Sequence, residues 1–257
     1  MFKLNRQLKF FVRKSFILGA ALFAGLAMFA VGASAQTPVG VVTMVSGSAN
    51  IQRGTSSLSP KVGMQLDLGD RISTGGNGDL AATLSDHSKL ELGESSSMVL
   101  DSMVVGTGGT VQTRLSLAFG ALRSSVLAAA GGVPKFEVHT PNAVVSVRGT
   151  EWSTMYHQGL ERPGFHACKQ FTDVEVFKGT VDVGSTLTPS AQHQAVPAGY
   201  ETTVACESAP LTPGPLGITG IGGIGGFRGV SPGSGGAPPP PSVEPPPVIP
   251  RIPPNVD

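Results

Sequence analysis

The stretch HTPNAVVSVRGTEW, from His139 to Trp152, decides the fold. Thr140-Pro141 presets the backbone for an extended segment, because proline fixes φ and biases the residue before it away from the helical region. The five residues after Asn142, Ala143 to Val147, are apolar except for one serine, which is typical of a strand packed in a protein interior. Arg148-Gly149-Thr150 ends this run, since glycine permits backbone conformations that a side chain would block. The stretch therefore predicts a strand followed by a sharp turn.

Short runs of the same kind recur on both sides. Turn residues separate them at intervals of roughly 8–12 residues, a spacing that indicates an all-β sandwich, barrel or solenoid. Alternation supports this, because Leu90 and Leu92 face one way while Lys89 and Glu91 face the other. Hairpin turns are expected at Ser85–Ser88 and Lys178-Gly179, and the one candidate helix is Ser124–Ala130. The predicted strands are Val39–Val45, Ala49–Arg53, Asp70–Ser73, Leu80–Leu84, Leu90–Leu92, Met98–Asp101, Val111–Ala118, Ala121–Val126, Phe136–Thr140, Ala143–Val147, Glu151–Tyr156, Thr172–Phe177, Thr180–Val183, Gln194–Val196 and Thr202–Ala205.

Arg148 directly follows an apolar strand, so its guanidinium is expected to be at least partly buried. A buried guanidinium needs acceptors, because an unpaired charge in the interior is very costly. Asp70, Asp86 and Glu91 are the candidate carboxylates, and backbone carbonyls are equally able acceptors. The sequence therefore predicts a structural role for Arg148.

The same stretch resembles the signature of the FecR domain family, in which a Thr-Pro strand runs into Val-Arg-Gly-Thr and an aromatic residue. Four further segments resemble family motifs in the right order: LGDRISTG (Leu68–Gly75), LSDHSKLELGESS (Leu84–Ser96), LSLAFGALRSSV (Leu115–Val126) and TDVEVFKGTVDV (Thr172–Val183). The resemblance spans about Gly40 to Val204 and implies a twisted two-layer antiparallel β domain with solenoid-like coils. The motif residues with implied structural roles are Gly69, Asp70, Thr140, Pro141, Val147, Arg148, Gly149, Thr150, Trp152 and Gly179.

This chain departs from the family pattern in small ways. His87 follows Asp86 where glycine is usual, and Trp152 stands where phenylalanine is common. Gly159–Gln170 looks like an insertion between two strands. These departures leave the implied fold unchanged.

The resemblance carries only part of the family's function. Its best-known members are inner-membrane sigma-factor regulators with a cytoplasmic anti-sigma segment, one transmembrane helix, this β domain and a domain that meets a TonB-dependent receptor. Here about 15 residues precede the apolar N-terminal run, and a Pro/Gly segment follows the β domain. The resemblance thus implies a non-enzymatic binding, scaffold or sensing module of the bacterial envelope, with an unidentified envelope protein or polysaccharide as partner. The alternative is a surface or extracellular structural or adhesion component that uses its proline-rich tail as spacer or docking segment.

The N-terminus is typical of an export signal. A basic region ends at Lys14, an apolar run extends from Phe16 to Val31, and Ala33-Ser34-Ala35 offers a small-residue cleavage site before Gln36. The run is short for a membrane span, which needs about 20 residues, although an uncleaved anchor is the alternative. We expect residues 1–35 to be a signal peptide, cleaved between Ala35 and Gln36. The mature protein would then have no stable membrane span and would reside in the periplasm, or alternatively outside the cell.

Composition divides the remainder into a domain and a tail. Residues 210–257 hold 14 of the 21 prolines and 11 of the 35 glycines, which predicts a disordered tail over residues 209–257 and a β domain over residues 38–208. The second half of the tail favours polyproline II, suited to aromatic grooves, or else it is a solvated terminus without a partner. Beyond residue 35 there are 13 basic and 17 acidic side chains, which argues against nucleic acid as a partner.

The two cysteines, Cys168 and Cys206, allow a single intramolecular pairing. An exported protein meets an oxidising compartment, so we expect a disulfide, with two free buried thiols as the alternative. Two cysteines also exclude a multi-thiolate zinc framework.

The sequence predicts no enzyme and no cofactor. The five histidines show no metal-binding spacing, and His166-x-Cys168 lacks a third ligand. Asp67-x-x-Asp70 lacks the further carboxylates of a calcium loop. No nucleophile elbow and no phosphate-binding loop before a helix occurs. Paired carboxylates for glycoside hydrolysis stay open, although no pair stands out.

Overall fold

A computed structural model describes residues 38–105, 111–127, 135–187 and 193–217. These residues form an all-β structure, as the sequence predicts, and they contain no helix. They contain no helix of the length and apolar character that a membrane crossing requires. The expected signal peptide with its Ala35/Gln36 cleavage site lies outside the described residues, as does most of the expected tail.

Seventeen strands make up the described part of the chain, and their hydrogen bonds join them into one continuous sheet. The strands are β1 (Gly40–Ser46), β2 (Ala49–Arg53), β3 (Ser56–Leu58), β4 (Gln65–Leu66), β5 (Arg71–Thr74), β6 (Asp79–Leu84), β7 (Lys89–Leu92), β8 (Ser97–Val105), β9 (Val111–Ser125), β10 (Lys135–His139), β11 (Ala143–Val147), β12 (Glu151–Gln158), β13 (Gln170–Lys178), β14 (Thr180–Ser185), β15 (Gln194–Pro197), β16 (Tyr200–Ala205) and β17 (Gly214–Pro215).

The sheet folds into two layers. The first layer has the order β4-β1-β6-β7-β9-β12-β13-β16-β17, and the second has the order β3-β2-β5-β8-β9-β10-β11-β14-β15. From β10 onward the chain places two strands in the second layer, two in the first, and repeats. This alternation gives the solenoid-like coils that the family resemblance implies. Pairing is antiparallel except between β9 and β10, which run parallel.

Strand β9 belongs to both layers. Its first half pairs with β8 and β10 in the second layer, and its second half pairs with β7 and β12 in the first. Gly120 stands at the crossing with φ +88°, and the amide of Ala121 donates to Ser96 Oγ at 2.9 Å. The sequence predicts two strands here, whereas the structure has one strand that bends at this glycine.

The predicted helix at Ser124–Ala130 is wrong at its described end. Ser124 and Ser125 are the last residues of β9, opposite Leu90 and Lys89. Residues 128–130 lie outside the described part. Pairing on both sides of β9 overrides the weak local helical pattern, as tertiary context commonly does.

The core lies between the layers and consists mainly of Val and Leu from alternate strand positions. Its largest fully buried side chain is Trp152, which meets Phe136 edge to face with ring centroids 5.7 Å apart. The Trp152 indole N–H donates to Thr154 Oγ1 at 3.0 Å. Leu90 and Leu92 point into this core, as the alternation predicts, and so do Val174 and Val176.

A buried polar network explains the Thr-Pro-Asn sequence before β11. Asn142 is fully buried; its Nδ2 donates to the carbonyl of Val204 at 2.9 Å, and its Oδ1 accepts from Thr172 Oγ1 at 2.5 Å. Thr140 Oγ1 and Thr172 Oγ1 lie 2.7 Å apart. The network fixes the entry to β11 on strands of the opposite layer, β13 and β16.

The expected insertion between β12 and β13 folds back onto β13. Arg162 forms a bidentate pair with Asp173 and lies over the Phe171 ring at 4.4 Å. The predicted disulfide is present, and it joins Cys168 in this loop to Cys206 just after β16. Phe171 and Cys168 belong to a small second hydrophobic cluster under the loop.

Candidate functional site

A groove of about 920 Å3 lies on the outer face of β10, β11 and β14. Core-facing residues of β11, such as Val145 and Val147, are buried, so Val144, Ser146 and Arg148 point outward into the groove. The FecR-like signature stretch thus has two faces, one of which packs the core while the other lines this groove.

Two histidine–carboxylate pairs line opposite sides of the groove. On β10, His139 Nε2 lies 3.1 Å from Glu137 Oε2, which also accepts from Arg114 Nη2 at 3.2 Å. Across the groove, His193 Nδ1 lies 2.9 Å from Asp182 Oδ2. In the described part of the chain, no cluster of three or more His, Cys, Asp or Glu side chains is arranged to hold a metal ion.

Arg148 is exposed at one end of the groove, so the expectation that its guanidinium is buried is wrong. Alternation along β11 explains the difference: Val147 faces the core, and the next residue must face outward. The three carboxylates expected to accept from Arg148 have other neighbours. Asp70 accepts two hydrogen bonds from Arg53. Asp86 accepts one from Thr113 Oγ1 at 2.9 Å, and Glu91 is attracted electrostatically by Arg123.

Two glycines shape the same end of the groove. Gly149 and Gly179 have φ of 85° and 82°, and both line the groove beside Arg148. A Cβ on Gly179 would lie 2.7 Å from Thr150 Cγ2. These positions allow the turns after β11 and β13 to pack against each other, and they leave the groove without bulky side chains at this end.

The other predicted motif residues are distributed over the core and the turns. Trp152, Val147, Thr140 and Thr150 are buried, and Pro141 is exposed with its carbonyl accepting from Thr186 Oγ1 at 3.1 Å. Gly69 has φ +84° and precedes Asp70, whose side chain is fully buried. The motif thus combines core, turn and groove positions.

A second set of ionisable groups lies on the outer face of the first layer. Glu175 on β13 stands directly opposite Glu201 on β16, and Glu201 is 1% exposed. Burial, reinforced by Glu201 and Asp173, raises the pKa of Glu175 to about 7, against the attraction of Arg123. Burial also raises the pKa of Glu91 on the same face.

Glu175→Gln is expected to stabilise the domain at pH 8 and to have little effect at pH 5. A carboxyl whose pKa is higher in the folded state than in the unfolded state binds its proton more tightly when folded. Its contribution to stability is therefore complete below about pH 4.5 and is lost as the pH rises through about 7. We expect a gain of about 1–3 kcal/mol at pH 8, measured by urea unfolding at both pH values.

Glu161→Gln is the matched control, because the Glu161 side chain is 77% exposed in its ion pair with Lys169. That substitution should change stability by less than about 0.5 kcal/mol at either pH. An equal effect of Glu175→Gln at pH 5 and pH 8 would show that the Glu175 carboxyl has an ordinary pKa.

Sequence patterns alone do not mark several residues at these sites. His139 and His193 lie 54 positions apart in the chain, and only the strand pairings β10–β11–β14–β15 bring them to one groove. Arg53 and Asn142 carry no motif that marks them as partners of Asp70 and Thr172. The one available signal was the polar character of Asn142 beside an apolar strand.

Comparison with known proteins finds one matching family model and similar crystal structures. Residues 70–182 match the family model described as FecR protein, which confirms the resemblance found in the sequence. Two crystal structures of a candidate anti-sigma factor from Parabacteroides distasonis ATCC 8503 are similar at 18% identity and a TM-score of 0.44. The similarity covers 56% of this chain and 59% of that one, so this chain spans about three fifths of the length of those structures. The curated proteins include no match.

Proposed function

We propose that this chain, whose residues 70–182 match the family model described as FecR protein, is a non-enzymatic binding module whose ligand or partner occupies the groove beside Arg148. The observation that carries this proposal is the exposed Arg148 guanidinium. It stands at the end of a groove of about 920 Å3, and none of the described carboxylates pairs with it.

Physical chemistry supports a recognition role for this arginine. A structural arginine would be paired with acceptors in the protein, as Arg53 is with the buried Asp70 carboxylate at 2.7 Å. Arg148 instead presents a planar fork of donors to solvent, and such a fork binds carboxylate or phosphate groups bidentately. The positive-φ glycines on either side keep the approach to it open.

We propose that this module resides outside the cytoplasm, in the periplasm. The charge, apolar run and Ala33-Ser34-Ala35 of the N-terminus support export, and so does the Cys168–Cys206 disulfide. The alternative is a surface or extracellular component with the proline-rich tail as spacer or docking segment. Osmotic-shock release from native cells would favour the periplasm, whereas recovery in the outer membrane or the medium would favour the alternative.

Arg148→Ala tests the proposal. The chain from residue 36 is immobilised and exposed to envelope extract. The amount of specifically retained partner should fall at least about tenfold when Arg148 is replaced. Its melting temperature should stay close to that of the unsubstituted chain, because removal of an exposed side chain changes stability by less than about 0.5 kcal/mol. Retention is measured by quantitative mass spectrometry against a blank resin.

Arg71→Ala is the matched control, since Arg71 is also an exposed arginine on a strand of the second layer but does not line the groove. It should leave both retention and melting unchanged. A large drop in melting temperature for Arg148→Ala, or full retention of the partner by that variant, would contradict the proposed role.

A further inference from the structure

We propose that the groove beside Arg148 binds an acidic oligosaccharide, with a sugar carboxylate on the Arg148 guanidinium and sugar hydroxyls on the side chains farther along β11. This inference rests on the proposed function and names the chemical class of its ligand.

Strand register sets the shape of the groove. Outward positions on the central strand, β11, are Val144, Ser146 and Arg148, so the groove runs for about 13 Å along this strand at about 3.3 Å per residue. Ser146 pairs with Glu137 on one side and with Asp182 on the other. These two carboxylates therefore stand two strand spacings apart, about 10 Å. The strands between them form a groove floor wide enough for a linear saccharide of two or three units.

Charge determines which end takes an anion. Glu137 already contacts Arg114 and His139, and Asp182 contacts His193, so both carboxylates have partners within the protein. Arg148 has no such partner among the described carboxylates. The groove therefore presents an uncompensated positive charge at one end, where a carboxylate can make two parallel hydrogen bonds.

The other lining groups suit hydroxyls. Ser146 and Thr180 bring hydroxyls that both donate and accept, while the imidazoles of His139 and His193 and the two carboxylates add further polar atoms. His193 lies directly over Gly184, where a Cβ would come within 2.8 Å of its Cε1 atom. This contact holds the imidazole at the edge of the groove floor.

A protein or peptide partner fits the groove less well. Protein recognition concentrates in pockets that take aromatic or large apolar anchors, and small-molecule pockets for apolar ligands have mostly hydrophobic walls. The described lining contains only two larger apolar side chains, Val144 and Val147, and Val147 is 3% exposed because it faces the core. Hydrogen bonds and one charge can then supply the specificity, as they can for a uronic acid chain.

Titration calorimetry of the chain from residue 36, at low ionic strength, tests the inference with defined probes. Trigalacturonate should bind at least about tenfold more tightly than neutral maltotriose and than the acidic peptide tetraglutamate. Arg148→Ala should weaken trigalacturonate at least about tenfold, and Arg71→Ala should leave it unchanged. Thr180→Asp is a second variant, because Thr180 is exposed beside Val181, the partner of Val147, and a carboxylate there would compete for Arg148.

The outcomes separate this inference from the proposed function. Equal binding of tetraglutamate, or trigalacturonate binding that neither Arg148→Ala nor Thr180→Asp weakens, overturns the saccharide assignment. Absence of trigalacturonate binding together with Arg148-dependent retention of an envelope partner overturns the assignment and leaves the proposed function standing. Retention that does not depend on Arg148 refutes the proposed function itself.

Discussion

Gly120→Ala should destabilise the domain by at least about 3 kcal/mol. A positive φ costs an L-residue about 1–2 kcal/mol, and forcing extra volume into a packed region adds about 1–3 kcal/mol. Here the added Cβ would lie 2.1 Å from Ser96 Oγ and 2.5 Å from Ser96 Cα. A side-chain rotation cannot relieve the second contact, because Cα belongs to the backbone of the segment that leads into β8. The drop in melting temperature should be roughly 6–12 °C.

Gly199→Ala separates the two causes. Gly199 has φ +83°, close to that of Gly120, but a Cβ there meets nothing within 4 Å. Its replacement should cost about 1–2 kcal/mol from the backbone alone. If the two variants melt at the same temperature, the close approach of β9 to Ser96 does not constrain the fold.

Asp70→Ala is expected to cost about 3 kcal/mol. The Asp70 carboxylate is fully buried and accepts from Arg53 Nε at 2.8 Å, from Arg53 Nη2 at 2.7 Å and from the amide of Asp67 at 2.9 Å. Breaking a buried pair by removing one partner typically costs about 3–5 kcal/mol of stability. We expect the low end of that range, about 3 kcal/mol, because the Arg53 side chain is one-third exposed and solvent screens part of the interaction. Urea unfolding with unchanged m-value measures the loss.

A double-mutant cycle with Arg53→Met isolates the pair. The coupling free energy should reach about 1–3 kcal/mol, as it does for residues in one hydrogen-bonded network. Asp101→Ala is the control, because Asp101 is exposed and, among the described residues, accepts only from Ser116 Oγ at 2.5 Å. If Asp70→Ala is as mild as Asp101→Ala, then Asp70 does not anchor the turn before β5.

Sequence patterning predicts the longer strands well, since each has one face in the core. β2 and β11 have the predicted bounds, and Leu90 and Leu92 on β7 face inward as their spacing indicates. β3, β4 and β17 are absent from the predicted strands. They have only two or three residues, too few for an alternating pattern, and arise only because a longer neighbour supplies hydrogen bonds.

The groove is harder to predict than the fold because it depends on which way single residues at strand ends face. An apolar strand indicates burial of one face, but the last residue of that strand can face either way. For Arg148 the preceding apolar run favours burial, whereas the two-residue period of β11 directs it outward. Asp70, one of its expected partners, pairs instead with Arg53, which ends β2, lies 17 residues earlier in the chain and carries no distinguishing motif. Pairings between distant strands determine such neighbours, and local patterns do not encode them.

The position of the disulfide determines how the domain would carry a mechanical load. Cys206 directly follows β16, so a pull on the chain beyond Gly217 would first detach the two-residue β17. The tension would then reach the Cys168–Cys206 bond before it reached the hydrogen bonds between β16 and β13. It would pass through the covalent link into the loop that Arg162 fixes to Asp173. Strand β16 therefore cannot peel from its free end, and a tail that tethers this domain to another layer could be pulled without unravelling the last coil.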